Sequence, residues 1–118
     1  FISVHAPLLP STIGLVNADA FKKMKKTAVI VNTARGPLIN EKDLIKALDN
    51  NEIGGAGLDV VEIEPLPANS PLIGRDNVIL APHTAFYSVE ALEELQTKAA
   101  ADVANILSGK PAVYPITG

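Results

Sequence analysis

The chain has 118 residues, 47% of them hydrophobic and only 4% aromatic, with a formal net charge of -3 and no cysteine. That length fits one domain, the missing cysteines exclude disulfides and thiolate metal sites, and the lack of a basic block argues against nucleic acid as the main partner. No apolar run approaches the roughly 18 residues of a membrane span and no signal-peptide pattern opens the chain, so the default expectation is a cytoplasmic protein with no membrane partner.

Residues 1–5 read as a short buried strand closed by Pro7 and Pro10. Because Phe1 opens directly into the apolar run Phe1, Ile2, Val4, we expect sequence upstream of it. Asn17 is placed to cap a short helix through about Met24, with Asp19 in its first turn. Lys22, Lys23, Lys25 and Lys26 then read as a solvated helix end rather than a phosphate-binding patch. Thr27 to Asn32 is rich in β-branched residues and apolar on both faces, which suits a central parallel strand. A turn at Ala34, Arg35, Gly36 and Pro37 follows. Asn40 caps the next helix, with Asp43 three residues on and Leu44, Ile45 and Leu48 as its buried stripe.

Gly54, Gly55 and Gly57 precede a third strand ending near Val60 and are expected to permit a tight helix-to-strand turn. They do not form a phosphate loop, which would join a strand to a helix, and no G-x-G-x-x-G occurs in the chain. Residues 62–77 carry Pro65, Pro67 and Pro71 and read as a long ordered loop, of a length that is usually functional. Val78 to Leu80 forms a fourth strand. Ser88 caps the longest helix, on which Leu92, Leu95, Ala99, Val103 and Ile106 recur at helical spacing before Gly109 and Pro111 end it. The tail from 109 to 118 has no clear periodicity. Alternating strands and helices of this kind make an α/β chain with about four parallel strands, half of a doubly wound sheet.

In such sheets ligands bind outside the carboxyl ends of the strands. Arg35 follows the second strand, Asp59 with Glu62 and Glu64 the third, and His83 the fourth, so the topology gathers them on one rim. A guanidinium fork suits a carboxylate substrate, and the alternative for Arg35 is a surface salt bridge or a helix contact. An imidazole serves as proton donor or acceptor near neutral pH, whereas the alternative for His83 is a structural histidine. Glu64 or Glu62 could pair with His83, and Glu64 beside Pro65 is the better placed. Asp59, ending an apolar strand, needs a hydrogen-bonding partner. No metal is expected, because His5 is the only other histidine and no ligand spacing appears.

The run Val31-Asn32-Thr33-Ala34-Arg35-Gly36-Pro37-Leu38-Ile39-Asn40 resembles the signature of D-isomer-specific 2-hydroxyacid dehydrogenases. The resemblance extends through Gly55 to Val60, Glu64-Pro65-Leu66-Pro67, Asn77 to His83, and the opening Val4-His5-Ala6-Pro7 with Thr12. It implies the C-terminal half of a Rossmann-like NAD-binding domain over 1–118, with 109–118 leading toward the substrate domain. It implies that Arg35 binds the substrate carboxylate, that His83 is the acid/base, and that Glu64 holds it. It further implies a cofactor cleft for NAD, with NADP as the alternative, lined by Pro7, Thr12, Thr33, Ala34, Arg35, Asp59, His83 and Ala85. The phosphate loop and the ribose-binding acid would lie before this sequence. The family is commonly dimeric, so the full-length protein is expected to be a homodimer acting on a small 2-oxo or 2-hydroxy acid. Thr84-Ala85-Phe86-Tyr87-Ser88 resembles a subgroup that includes phosphoglycerate-dehydrogenase-like proteins and the C-terminal binding protein co-repressors. The alternatives are therefore an NAD-dependent sensor module, or a piece that is inactive in isolation.

Overall fold

The computed structural model describes residues 1–115, which divide into two compact units, 1–85 and the segment from Phe86 onward. The first unit holds β1 (Ile2–Val4), α1 (Ala18–Lys22), β2 (Val29–Asn32), a 3-10 turn (Gly36–Leu38), α2 (Glu41–Asp49), β3 (Gly55–Leu58) and β4 (Val78–Leu80). Its four strands pair in parallel in the order β1-β2-β3-β4. Each consecutive pair is joined by a crossover, so all four carboxyl ends lie along one rim.

Both helix caps in this unit form as the sequence implies. The Asn17 side chain accepts from the amides of Asp19 and Ala20, and the Asn40 side chain accepts from that of Asp43. Asp43 also reaches the first turn of α1, where its carboxylate accepts the Ala18 amide at 3.0 Å and ties the two helices together. Helix α1 stops at Lys22, two residues short of the expected end, and a turn carries the chain past the exposed lysines.

The parallel register puts Ile30 beside Ile2 and Ala56, and Asn32 beside Val4 and Leu58. Ile2 is exposed, so the first strand is buried only at Val4 and not along its length as expected. The others share the packed face, where Val4, Ile30, Ala56 and Leu58 join Phe21 from α1 and Leu44, Ala47 and Leu48 from α2 in one core. Ile45 packs at its edge. The opposite row runs Ser3, Val31, Gly57, Ile79, and Ile79 is 76% exposed. Phe21 is fully enclosed. Its replacement by alanine is expected to lower stability by about 3–5 kcal/mol, measured by equilibrium urea unfolding. A loss under about 1 kcal/mol would mean that the core closes around the cavity.

The glycine cluster differs from expectation. Gly55 and Gly57 lie within β3 and are not part of a turn before it. A Cβ on Gly55 would sit 2.6 Å from the carbonyl oxygen of Asn77, so the residue serves a close approach between the strand and the segment entering β4.

In the second unit, α3 (Val89–Leu107) begins at Ser88, whose hydroxyl accepts the Ala91 amide. Its Leu95, Val103 and Ile106 are exposed, and Lys98 pairs with Glu94. The tail is latched onto the helix by Asp102, whose carboxylate accepts the amides of Val113 and Tyr114 at 2.8 and 3.1 Å. The Lys98 ammonium lies 5.2 Å from the centre of the Tyr114 ring. Residues 116–118, the end of the expected tail, lie outside the described residues. No helix among the described residues is long and apolar enough to cross a membrane.

Candidate functional site

The carboxyl rim of the sheet carries the residues that the strand order brings there. After β4 the chain turns sharply at His83, which takes a left-handed backbone conformation (φ 57°). Its amide donates to the Asp59 carbonyl at 2.9 Å, which anchors the turn to the end of β3. The His83 ring meets Glu64, with Nδ1 2.7 Å from Oε2. An ionised carboxylate can only accept, so Nδ1 carries the hydrogen in this pair. The other Glu64 oxygen accepts the Val61 amide at 3.1 Å, so the carboxylate is held from two sides. The hydrogen bond from His83 is the main cause holding the Glu64 carboxyl below its ordinary value of 4.5, with the Val61 amide acting in the same direction against burial. The alternative partner, Glu62, has its amide on Glu41 at the start of α2 (3.2 Å), and Glu64 is the residue that pairs with His83.

Arg35 leaves the end of β2 in an extended conformation and is exposed. Its Nη1 donates to the Ala34 carbonyl at 2.7 Å. The turn that carries it is shaped from within by Asn32. This buried side chain accepts the Ala34 amide at 3.0 Å and donates to the Arg35 carbonyl at 2.9 Å. Gly36 follows, and a Cβ there would lie 1.8 Å from the carbonyl oxygen of Val61. No side chain fits at this position, so the arginine turn rests directly on the backbone that holds Glu64.

Asp59 is 7% exposed, and its two carboxylate oxygens accept the amides of Thr84 at 2.7 Å and Ala85 at 3.0 Å. It thereby pins the segment that follows His83. At the end of β1, the Thr12 hydroxyl donates to the Pro7 carbonyl at 2.7 Å and accepts the Leu9 amide at 2.8 Å, closing a compact loop. That loop is tied to the arginine turn, because the amides of Gly14 and Val16 donate to Pro37 and Leu38. Thr33 is exposed beside Arg35. The second histidine, His5, bonds the Ser3 hydroxyl through Nε2 at 2.7 Å. No cluster of potential metal ligands occurs among the described residues.

Asp59, Val61, Glu64, Leu66, Leu80 and His83 line a cleft of about 530 Å³ together with Pro65, Ala81 and Pro82. Apolar walls with a few convergent polar groups suit a small organic ligand. Each Asp59 side-chain oxygen accepts one amide and keeps a second lone pair, which suits a further donor such as the amide end of a nicotinamide. Sequence reasoning placed Gly36 in the arginine turn but missed its contact with Val61, and it missed Asn32 and the Val61 amide. Asn32 was detectable, since a polar residue ending an apolar strand poses the same partner question as Asp59. Gly36 and Val61 meet only in three dimensions.

Residues 1–85 match the family described as D-isomer specific 2-hydroxyacid dehydrogenase, NAD binding domain. A glyoxylate reductase from Thermofilum pendens is 47% identical over 109 residues, covering 92% of this chain and 32% of that protein. A hydroxypyruvate reductase from Blautia hydrogenotrophica is 41% identical over 110 residues, covering 93% of this chain and 34% of that protein. The chain thus spans about a third of the length of these relatives. The crystal structure of D-lactate dehydrogenase with NAD+ from Lactobacillus jensenii superposes with a TM-score of 0.88 at 30% identity, covering 99% of this chain and 39% of that one.

Proposed function

Because this chain belongs to the D-isomer specific 2-hydroxyacid dehydrogenase family, we propose that the intact protein interconverts a short 2-oxo acid and its D-2-hydroxy acid, with Arg35, Glu64 and His83 as its catalytic set. The observation that carries the proposal is the 2.7 Å pair of Glu64 and His83, on the same rim as the arginine turn. A nicotinamide dinucleotide, when bound, supplies the hydride in the reducing direction. Pro7, Thr12, Thr33, Ala34, Asp59 and Ala85 would line its cleft, with Asp59 toward the nicotinamide. Arg35 binds the substrate carboxylate through its fork and polarises the 2-oxo group. As negative charge grows on that oxygen, the guanidinium and the imidazolium stabilise it, and His83 delivers the Nε2 proton to form the hydroxyl. Glu64 keeps the ring oriented throughout.

The names of the relatives favour glyoxylate and hydroxypyruvate as substrates, and neither relative described above is a phosphoglycerate dehydrogenase or a co-repressor. The test is NADH and NADPH oxidation by the intact protein across glyoxylate, hydroxypyruvate, pyruvate and 3-phosphohydroxypyruvate. Fastest turnover is expected with one of the first two. Dinucleotide binding without turnover on any of them would overturn the enzyme proposal in favour of a sensor.

The ion pair makes a further prediction. A carboxyl whose folded pKa lies below its unfolded value contributes stability fully above the unfolded value and loses it as pH falls through the folded one. The Glu64 contribution is therefore complete above pH 4.5 and disappears at more acid pH. Its size is modest, because the His83 and Glu64 side chains are 45% and 38% exposed. Glu64→Gln is expected to remove that part of the acid-side loss of stability, measured as Tm against pH in both proteins. An identical acid slope in the two would exclude the pair as a contributor.

A further inference from the structure

We propose that Asn32 is the positioning residue that aims Arg35, an assignment that rests on the reading of Arg35 as the carboxylate-binding group. Asn32 ends β2 and is 1% exposed; with Asp59 it makes up the buried polar side chains among the described residues. A primary amide at such a place needs partners for both its oxygen and its nitrogen. Here Oδ1 accepts the Ala34 amide at 3.0 Å, while Nδ2 donates to the Arg35 carbonyl at 2.9 Å. One side chain therefore grips the turn at two points, one on each side of the Ala34–Arg35 peptide. The Asn32 carbonyl also accepts the Asp59 amide at 3.0 Å, so the same residue joins the arginine turn to the strand end that anchors His83.

The guanidinium itself is exposed and reaches back to Ala34, so its direction follows from the backbone beneath it. That backbone is clamped from two sides, by Asn32 within and by Val61 against Gly36 without. The Val61 contact belongs to the main chain. The Asn32 contact belongs to a side chain and can be altered without changing volume. Asn32→Asp keeps an oxygen for the Ala34 amide but sets a second oxygen, in place of the donor, against the Arg35 carbonyl. When that carboxyl is ionised, the turn opens to separate the two oxygens.

The experiment compares wild type and Asn32→Asp in the intact protein. The KM for the preferred 2-oxo acid is expected to rise about 10- to 100-fold, the scale of a catalytic group misplaced by about an ångström. The pH profile of turnover should stay as in wild type. A merely structural role would instead lower the active fraction, reducing kcat while leaving KM alone, and that result would overturn the proposal. Asn32→Ser, too short to grip both points, carries the same test if the aspartate variant does not accumulate.

The second readout does not depend on turnover. Arg75 is fixed by Asp49 at 2.7 Å and by the Pro71 carbonyl, so it serves as an internal reference for phenylglyoxal labelling followed by mass spectrometry. Arg35 is expected to label faster in the variant relative to Arg75. An unchanged ratio overturns the Asn32 assignment. If wild type reduces no 2-oxo acid, the functional proposal falls, and the labelling ratio alone decides the role of Asn32.

Discussion

Replacing His83 with alanine in the intact protein is expected to lower the turnover of 2-oxo acid reduction by about 10²–10⁴-fold, the usual contribution of a positioned general acid. Glu64 occupies Nδ1, so proton transfer to substrate must pass through Nε2, and alanine leaves the oxygen of the product without its donor. Reduction needs the ring protonated and oxidation needs it neutral. The two directions should therefore respond oppositely to rising pH in wild type, and both responses should vanish in the variant. The folded state should survive, because the His83 amide still bonds the Asp59 carbonyl whatever side chain it carries. Alanine takes the left-handed backbone less readily than histidine, so His83→Asn is the companion variant that keeps the turn comfortable. Turnover within a few-fold of wild type in both variants would remove His83 from the mechanism.

Arg35→Lys is expected to lower kcat/KM for the 2-oxo acid by about 10²–10³-fold, comparable to the loss of one donor aimed at a developing oxyanion. Charge is retained, so the deficit would report geometry: an ammonium cannot offer two parallel hydrogen bonds to a carboxylate. NADH binding should change little if the arginine serves the acid. Arg35 is exposed and lies outside the buried core, so stability should not fall with activity. Steady-state kinetics with an NADH titration on the same preparation separates these effects. An unchanged kcat/KM would show that the carboxylate is bound elsewhere.

Gly36 brings the two segments proposed to carry the chemistry into direct main-chain contact. The arginine turn touches the Val61 main chain, Val61 holds Glu64, and Glu64 holds His83. A displacement at any link would be felt at the others, since no flexible side chain intervenes between Gly36 and Val61 to absorb it.

Local signals in the chain sufficed for much of this. Asn17, Asn40 and Ser88 cap the helices they were expected to cap, because an N-cap bond spans two or three residues and needs no distant partner. The β-branched run ending at Asn32 forms an inner strand, and the strand order then places Arg35, Asp59 and His83 on one rim by topology alone. Distant contacts decided the rest. Nothing within residues 54–57 indicates that Gly55 is needed against Asn77, and the preference for Glu64 over Glu62 arises from how residues 61–64 fold back on the His83 turn. Likewise, the grip of Asn32 on both sides of Arg35 depends on burial that only the assembled sheet provides. Caps and strand periodicity are properties of a few neighbouring residues, and so a sequence determines them by itself. The close backbone approaches at Gly36 and Gly55 and the partnering of Asp59 join segments 20 or more residues apart, and tertiary structure alone decides them.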